Sequence, residues 1–411
     1  MSDRSGAPGS PHARQPLRFL LLYALAWAGG SIAYVPFLTI LLPVRVAALV
    51  PPPQAVVWLS AIAFCGAIAA SVGHILFGWL SDVTRTRRLW AALGLALSCL
   101  LLLFVPLAHS LQGLILIVVL WQLGLNMMLA PLGAWGADCV PDSQKGLLGG
   151  LLAFAPGLGA LAGVLITIPG IASADGRLAV VALTVAAAVL PALLLGAHAA
   201  PAVLATPAAT PQHVGGTRDL KAALRMWAAR LLVQVAEAAL FSFLYLWLRS
   251  IDPSVQDHLT ARVFSLVLVL SAPAALLAGR WADRRRRPFA PLVACTVVAP
   301  FGLVGMALAK TVNAGIASYA VFGFSTSIFL ALHSAQTLRT LPDSNRRGRD
   351  LGLFNLTNTM PSLVMPWFTL ALVPWFGFSG LFLLFAALAL VAALLLAGLR
   401  TEVVPENRLP A

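Results

Sequence analysis

The sequence predicts an all-α integral membrane protein, with twelve transmembrane helices in two pseudo-symmetric six-helix bundles. Three observations carry that prediction. The 411 residues are 60% hydrophobic and 10% charged, with a mean hydropathy of +0.91, far more apolar than a soluble core of this length requires. Twelve apolar runs approach the roughly 20 residues that a helix needs to cross a bilayer. One pattern also occurs twice: Gly78 to Arg88 reads GWLSDVTRTRR and Gly279 to Arg287 reads GRWADRRRR. Each is a glycine, three residues, an aspartate and a burst of arginine at the end of an apolar run. Their offset, 279 − 78 = 201, returns at Pro141-Asp142-Ser143 and Pro342-Asp343-Ser344 and again at Asp138 and Arg339, so the chain reads as a duplicated unit.

The expected spans are 19–42, 55–80, 90–109, 113–138, 147–170 and 178–199, then 226–249, 259–281, 289–309, 313–338, 351–374 and 377–399. They define a tail at 1–18, a first bundle at 19–199, a linker at 200–225 rich in proline, alanine, threonine and glycine, a second bundle at 226–399 and a tail at 400–411. An even number of spans puts both termini on one side. Basic loops stay cytoplasmic, and with the termini inside, 21 lysines and arginines fall in inside segments. Only Arg45, Arg177, Arg249, Arg262 and Lys310 fall outside. The expected location is the cell inner (cytoplasmic) membrane, with both termini cytoplasmic. Trp79, Trp90, Trp227 and Trp281 near inner ends, with Trp58, Trp247 and Trp375 near outer ends, suit an interfacial belt.

The net charge of +13 does not indicate nucleic acid, because the arginines sit in short loops and form no folded basic face with interleaved aromatics. Cys65, Cys99, Cys139 and Cys295 are scattered without a C-x-x-C pair, so no disulfide framework or metal site is expected. The polar N-terminus lacks a convincing cleavage site and the first span reads as uncleaved. No nucleotide, metal or nucleophile constellation appears, and the expectation is a protein that is no enzyme and has no cofactor.

Of fourteen acids only Glu237 lies deep in a span. At about 1.5 Å per residue from Met226 it is roughly 16 Å into a hydrocarbon core about 30 Å thick. A carboxyl there is by default functional, and it is the candidate proton-coupling group. Arg230, Gln234 and Glu237 stand at i, i+4 and i+7 on one helical face. Gln122 and Asn126 in the fourth span, Ser31 and Tyr34 in the first, and Asn355, Asn358, Thr359 and Ser362 in the eleventh are candidate cavity residues for a neutral hydroxylated solute. Interhelical packing is the plainer reading of each. His74 and His333 read as packed polar residues before proton relays. Asp138 and Arg339 could join the arginine hinges in a charge network. The spacings Gly146 to Gly150 and Gly159 to Gly163 permit close helix contact.

GWLSDVTRTRR resembles the loop between the second and third helices of major facilitator transporters, with Gly78, Asp82, Arg87 and Arg88 matching. Val83 stands where a basic residue is usual, and Arg85 stands near a common glycine. In the second copy Gly279, Asp283, Arg284 and Arg285 take the corresponding places. The D-x-T-R-T-R run, PLGAWGADCVPDSQKG and LPDSNRRGRDLGLFNLTNTMP are similar to loops of the glycoside-pentoside-hexuronide:cation symporters and the sucrose transporters. That resemblance implies a secondary transporter for a small neutral solute such as a sugar or glycoside, acting by rocking of two halves about a central site. Its expected partners are a small-molecule substrate, protons and the lipid bilayer, and the protein itself is expected to be a monomer. Sodium-using members carry carboxylates in the second helix. None lies between Gln54 and Asp82 here, which counts against sodium. Ala155-Pro156-Gly157-Leu158-Gly159 loosely approaches the antiporter pattern of the fifth helix, keeping open a proton-driven exporter of an amphipathic metabolite. A non-transporting assembly factor or receptor on the same fold is the rival from another class.

Overall fold

A computed structural model describes residues 14–196, 220–285, 287, 289–340 and 347–398. Among them every regular element is helical. Helix α1 (Leu17–Pro36) runs through one π turn (Phe37–Leu41) into α2 (Leu42–Leu49), and α3 (Pro52–Thr84), α4 (Arg87–Phe104) and α5 (Leu111–Cys139) follow. Then come α6 (Asp142–Leu152), α7 (Ala155–Ile166) and α8 (Gly176–Leu195). The second half holds α9 (Leu220–Ile251), α10 (Asp257–Arg284), α11 (Ala290–Leu308), α12 (Val312–Thr340) and α13 (Arg347–Ala397). The expected linker and tails lie outside the described residues, apart from 14–18, of which the last two open α1, and 220–225, which open α9.

Eleven stretches are long and apolar enough to cross a membrane, and the last of them, Met360–Ala397, is 38 residues long. It contains two crossings. Gly377 has φ 63 and ψ −170, a conformation essentially reserved for glycine, and it reverses the chain there. Beyond it Ser379 Oγ donates to Ala307 O at 2.8 Å, by the end of α11. At the far end Arg225 Nη1, near the start of α9, donates to Gly398 O at 3.0 Å. The twelve expected crossings are therefore present. The expected fifth span is split into α6 and α7, with a break at Ala153 and Phe154 just before Pro156.

Packing follows sequence halves. α1 lies on α7 and α8, and α5 lies on α3 and α4; in the second half α9 lies on α13, and α12 on α11 and α10. Contacts between halves run from α3 to α13, from α7 to α10, and from the π turn to α9. Small residues set the closest approaches, as helices with no hydrophobic drive between them require. A Cβ at Gly94 would stand 2.3 Å from Met128 N, so α4 meets α5 backbone to backbone. The expected Gly159/Gly163 pair is used against α1, where a Cβ at Gly159 would lie 2.6 Å from Ser31 O, whereas Gly150 faces open space. Outward-facing Leu183, Leu194, Phe301 and Leu394 are exposed, as a lipid-covered surface would have them.

Two local features prepare the site. Pro36 and Pro43 lack the N–H that would bond one turn back, and Thr39 Oγ1 donates to Val35 O at 2.7 Å. The helix widens there into the π turn, a distortion frequent at functional sites. Arg85 ends α3 with φ 54, the left-handed cap usually filled by glycine.

The helix turns fall on two faces. Turns at 85–86 and 140–141, and the turn that holds Arg285, Arg287 and Phe289, lie on one, the basic face, and those at 50–51, 108–110, 252–256, 309–311 and 377 on the other. The uneven distribution of arginine predicts that the basic face is cytoplasmic. Reporter fusions after Arg88, Lys221 and Arg400 are expected to report cytoplasm, and an external signal at any of them would overturn this orientation.

Candidate functional site

A cavity of about 470 Å³ lies between the halves at mid-depth. Its wall comes from α1, α3, α5 and α7 on one side and α9, α10, α12 and α13 on the other. Most lining residues are apolar. Tyr34, Gln122, Gln234, Glu237 and Ser362, all singled out in the sequence, stand on this wall. Glu237 is the only charged side chain among the described lining residues. Its carboxyl opens into the cavity, and no described residue forms a hydrogen bond or ion pair with it. The Tyr34 and Tyr319 phenols are close enough to interact electrostatically with it, as is Arg230 from the same helix.

Arg230 is off the wall. Its Nε donates to Gln234 Oε1 at 3.0 Å, and its Nη1 meets His333 Nδ1 at 3.4 Å. His333 Nε2 lies 3.0 Å from Met226 O. A guanidinium only donates and a carbonyl only accepts, so His333 must accept at Nδ1 and donate at Nε2. It is a neutral, fully buried imidazole tying α12 to α9. In this state it is a packing residue.

Other candidates form a layer behind the wall. Asn126 Nδ2 donates to Gln122 O at 2.9 Å, and its Oδ1 is 3.3 Å from His74 Nδ1. Asn126 is buried and does not line the cavity. Ser31 is also buried and off the wall. The side chains of Asn355, Asn358 and Thr359 lie outside the described residues.

The hinge below Gly78 is a charge cluster centred on Arg87. Its Nη1 pairs with Asp82 and donates to Ser81 Oγ at 2.7 Å, while its Nε donates to Asp138 Oδ2 at 3.2 Å. Asp138 thus joins the arginine hinge, as the sequence suggested; Arg339 lies outside the described side chains. Arg88 Nη2 donates to Gly196 O at 2.7 Å and stacks 5.1 Å from the Trp135 ring, capping the C-terminus of α8. Arg85 is exposed. In the second copy, Gly279 packs towards Leu332, Arg284 and Arg285 are exposed, and the Asp283 side chain lies outside the described residues. Asp82→Asn and Asp138→Asn are each expected to slow turnover about two- to fivefold, the scale of a partly exposed ion pair, with substrate binding unchanged. Equal turnover in both variants would leave the cluster a purely topological role.

On the opposite face, three of the five outside cations have dedicated partners. Arg45 pairs with Asp175 at 3.3 Å and donates to the carbonyls of Pro106 and Ala108, which closes off the end of α4. Arg249 Nη1 donates to Tyr245 Oη at 3.2 Å. Arg177 at the start of α8 pairs with Asp257 at the start of α10, across the two halves. Nearer the cavity Ser265 Oγ donates to Ala160 O at 2.5 Å, again across the halves. Tyr34 and Phe241 also meet there, with ring centroids 6.2 Å apart. The halves are thus clasped together on the side opposite the arginine turns.

Sequence reasoning missed Tyr319, Phe241, Phe264, Thr326 and Ser242 on the wall. Tyr319 and Thr326, at i and i+7, carried a signal in retrospect as two hydrogen-bonding side chains on one face of an apolar span. The phenylalanines carried none.

Residues 226–411 match the sequence model of the Major Facilitator Superfamily. No curated protein matches. Among solved structures, the chain is 14% identical to the nucleoside transporter NupG, covering 92% of this chain and 98% of that one at a TM-score of 0.68. An autoinhibited POT family peptide transporter is 13% identical, with 95% and 99% covered and a TM-score of 0.70. A bacterial homolog of the human lysosomal transporter Spinster, in an inward-facing, unoccupied conformation, is also 13% identical, with 93% and 97% covered and a TM-score of 0.72. With the family match over its second half and these likenesses over nearly its whole length, the chain has the major facilitator fold.

Proposed function

We propose that the protein is a secondary active transporter, which moves a small organic solute across the cytoplasmic membrane by rocking its two six-helix halves about the central cavity, driven by protons at Glu237. The observation that carries this reading is the unpartnered carboxyl on the wall of a cavity between the halves. A group held there at high desolvation cost must have a use, and taking up and giving back a proton is the use a bilayer midplane allows. The arrangement agrees with transport in structurally similar proteins, a nucleoside transporter and a peptide transporter. On this reading the protein works as a monomer, because the cavity is complete within one chain.

The resemblance to glycoside and sucrose transporters suggests a neutral sugar or glycoside. A polyol needs most of its hydroxyls paired when it leaves water, and the wall offers Gln122, Gln234, Ser362 and a few further hydroxyls among leucine, alanine, valine and phenylalanine. That composition favours the second reading, export of an amphipathic metabolite. The deciding experiment is a screen of membrane vesicles under an imposed pH gradient, with sugars, glycosides and amphipathic solutes as candidate cargo. Gradient-driven movement of at least one solute is expected, and its absence for all of them would return the assembly-factor or receptor reading to first place.

A further inference from the structure

We propose that the cargo is a monovalent organic cation with an aromatic or branched apolar body, bound at Glu237 in place of a proton, so that the protein exchanges one cation for one proton. The inference rests on the transport reading above and names the cargo of the same site. Glu237 carries the only charge on the described wall and has no partner there. The facing titratable groups are Tyr34 from α1 and Tyr319 from α12. The lining residues of α3, α5, α7 and α10 and the described ones of α13 include none. Arg230, two turns away on α9, interacts with Glu237 electrostatically, but its guanidinium is committed to Gln234 and His333 and is off the wall. An ionised Glu237 therefore lacks a contact cation, and a cationic cargo would supply one.

The rest of the cavity suits the body of such a molecule. Phe241 links Tyr34 and Phe264 in a chain of rings, at 6.2 and 5.9 Å between centroids. Tyr319 and Phe322 face the same space. Ring faces beside a carboxylate are the chemistry that holds a weakly hydrated cation, which is attracted to a ring within about 6 Å of its centroid. A volume of about 470 Å³ admits a compact drug-sized molecule. The exchange balances in charge: the carboxyl loses its proton to water as the cation arrives and regains it as the cation leaves on the other side.

The test is saturation binding of radiolabelled tetraphenylphosphonium to the purified full-length protein, from acid to alkaline pH, with proton release recorded. Binding is expected to strengthen as pH rises and then level off, with release approaching one proton per cation on the acid side, where the carboxyl starts protonated, and falling towards none where it is already ionised. Neither sucrose nor neutral triphenylphosphine oxide should displace the probe. Glu237→Gln is expected to weaken binding about thirtyfold or more, as for loss of one partner of a desolvated charge pair, while Glu237→Asp keeps the pH dependence. Tyr319→Leu should weaken binding about threefold. Wild-type binding that is independent of pH, or displacement by sucrose, overturns the proposal without any variant being needed. Proteoliposomes separate the two readings. Gradient-driven accumulation of a neutral glycoside but not of tetraphenylphosphonium overturns the cation and leaves transport standing. Binding with proton release but no gradient-driven movement upholds the cation site and overturns transport.

Discussion

Glu237→Gln is expected to abolish pH-driven accumulation of cargo in vesicles. A pH difference of one unit stores about 1.4 kcal/mol per proton, enough for about tenfold accumulation of cargo coupled to one proton. The amide cannot carry that proton, so the ratio should fall to one. Glutamine keeps the size of the side chain and faces the same Tyr34 and Tyr319, so the wall is preserved and a folding defect is not the expected cause. Cargo-for-cargo exchange across the membrane needs no net proton movement, and in the variant it reports on the cargo: retained exchange marks a neutral solute, whereas exchange lost together with accumulation marks a solute that itself sits on the carboxylate. Accumulation with its normal pH dependence would sink the assignment. His333 is engaged by Arg230 and by the Met226 carbonyl, which leaves His74 and Asp138 as the groups to test next.

The fold was legible because the bilayer makes its demands locally. Twelve apolar runs, a repeat offset of 201 and arginine at alternate turns each follow from one segment at a time, without knowledge of what packs on what. Glu237, Gln122, Gln234 and Tyr34 were legible for a similar reason: a hydrogen-bonding group in a hydrocarbon span must face other protein or a cavity. The aromatic wall was not, since Phe241 and Phe264 are as apolar as the leucines that face lipid, and only tertiary packing separates the two. Ser31, Asn126 and Arg230 were placed one layer too far forward. Spacing fixes the face of a helix, but a difference of a few ångströms between wall and backing depends on neighbours such as His74 and His333. Arg85, singled out in the sequence because it stands near a place where glycine is common in the loops that GWLSDVTRTRR resembles, is the left-handed residue that ends α3.

Arg177 illustrates the same limit, because the count of basic residues registered it only as an exception to the positive-inside pattern. Its pairing with Asp257 joins segments 80 residues apart and leaves no local trace in the sequence. The side chains are 14% and 15% exposed, so removing one partner strands a largely desolvated charge, at about 3 kcal/mol or more. The pair spans the two halves on the face opposite the arginine turns, so that cost falls on conformations closed there and not on those open there. Asp257→Asn should therefore raise the population open on that face by roughly a hundredfold relative to the closed one. The measurement is the rate at which a membrane-impermeant maleimide, added from that face, labels a single cysteine placed at Ser242 on the cavity wall, with Cys65, Cys99, Cys139 and Cys295 changed to serine. Labelling should accelerate in Asp257→Asn and in Arg177→Gln, and gradient-driven transport should slow, because the cycle would dwell in the open state. The exchanged pair, Arg177→Asp with Asp257→Arg, should restore slow labelling, which a merely misfolded protein would not do. Unchanged labelling in both single variants, or an exchanged pair as open as either of them, would show that the closure on this face is held by the Tyr34–Phe241 ring contact and the Ser265–Ala160 hydrogen bond instead of by charge.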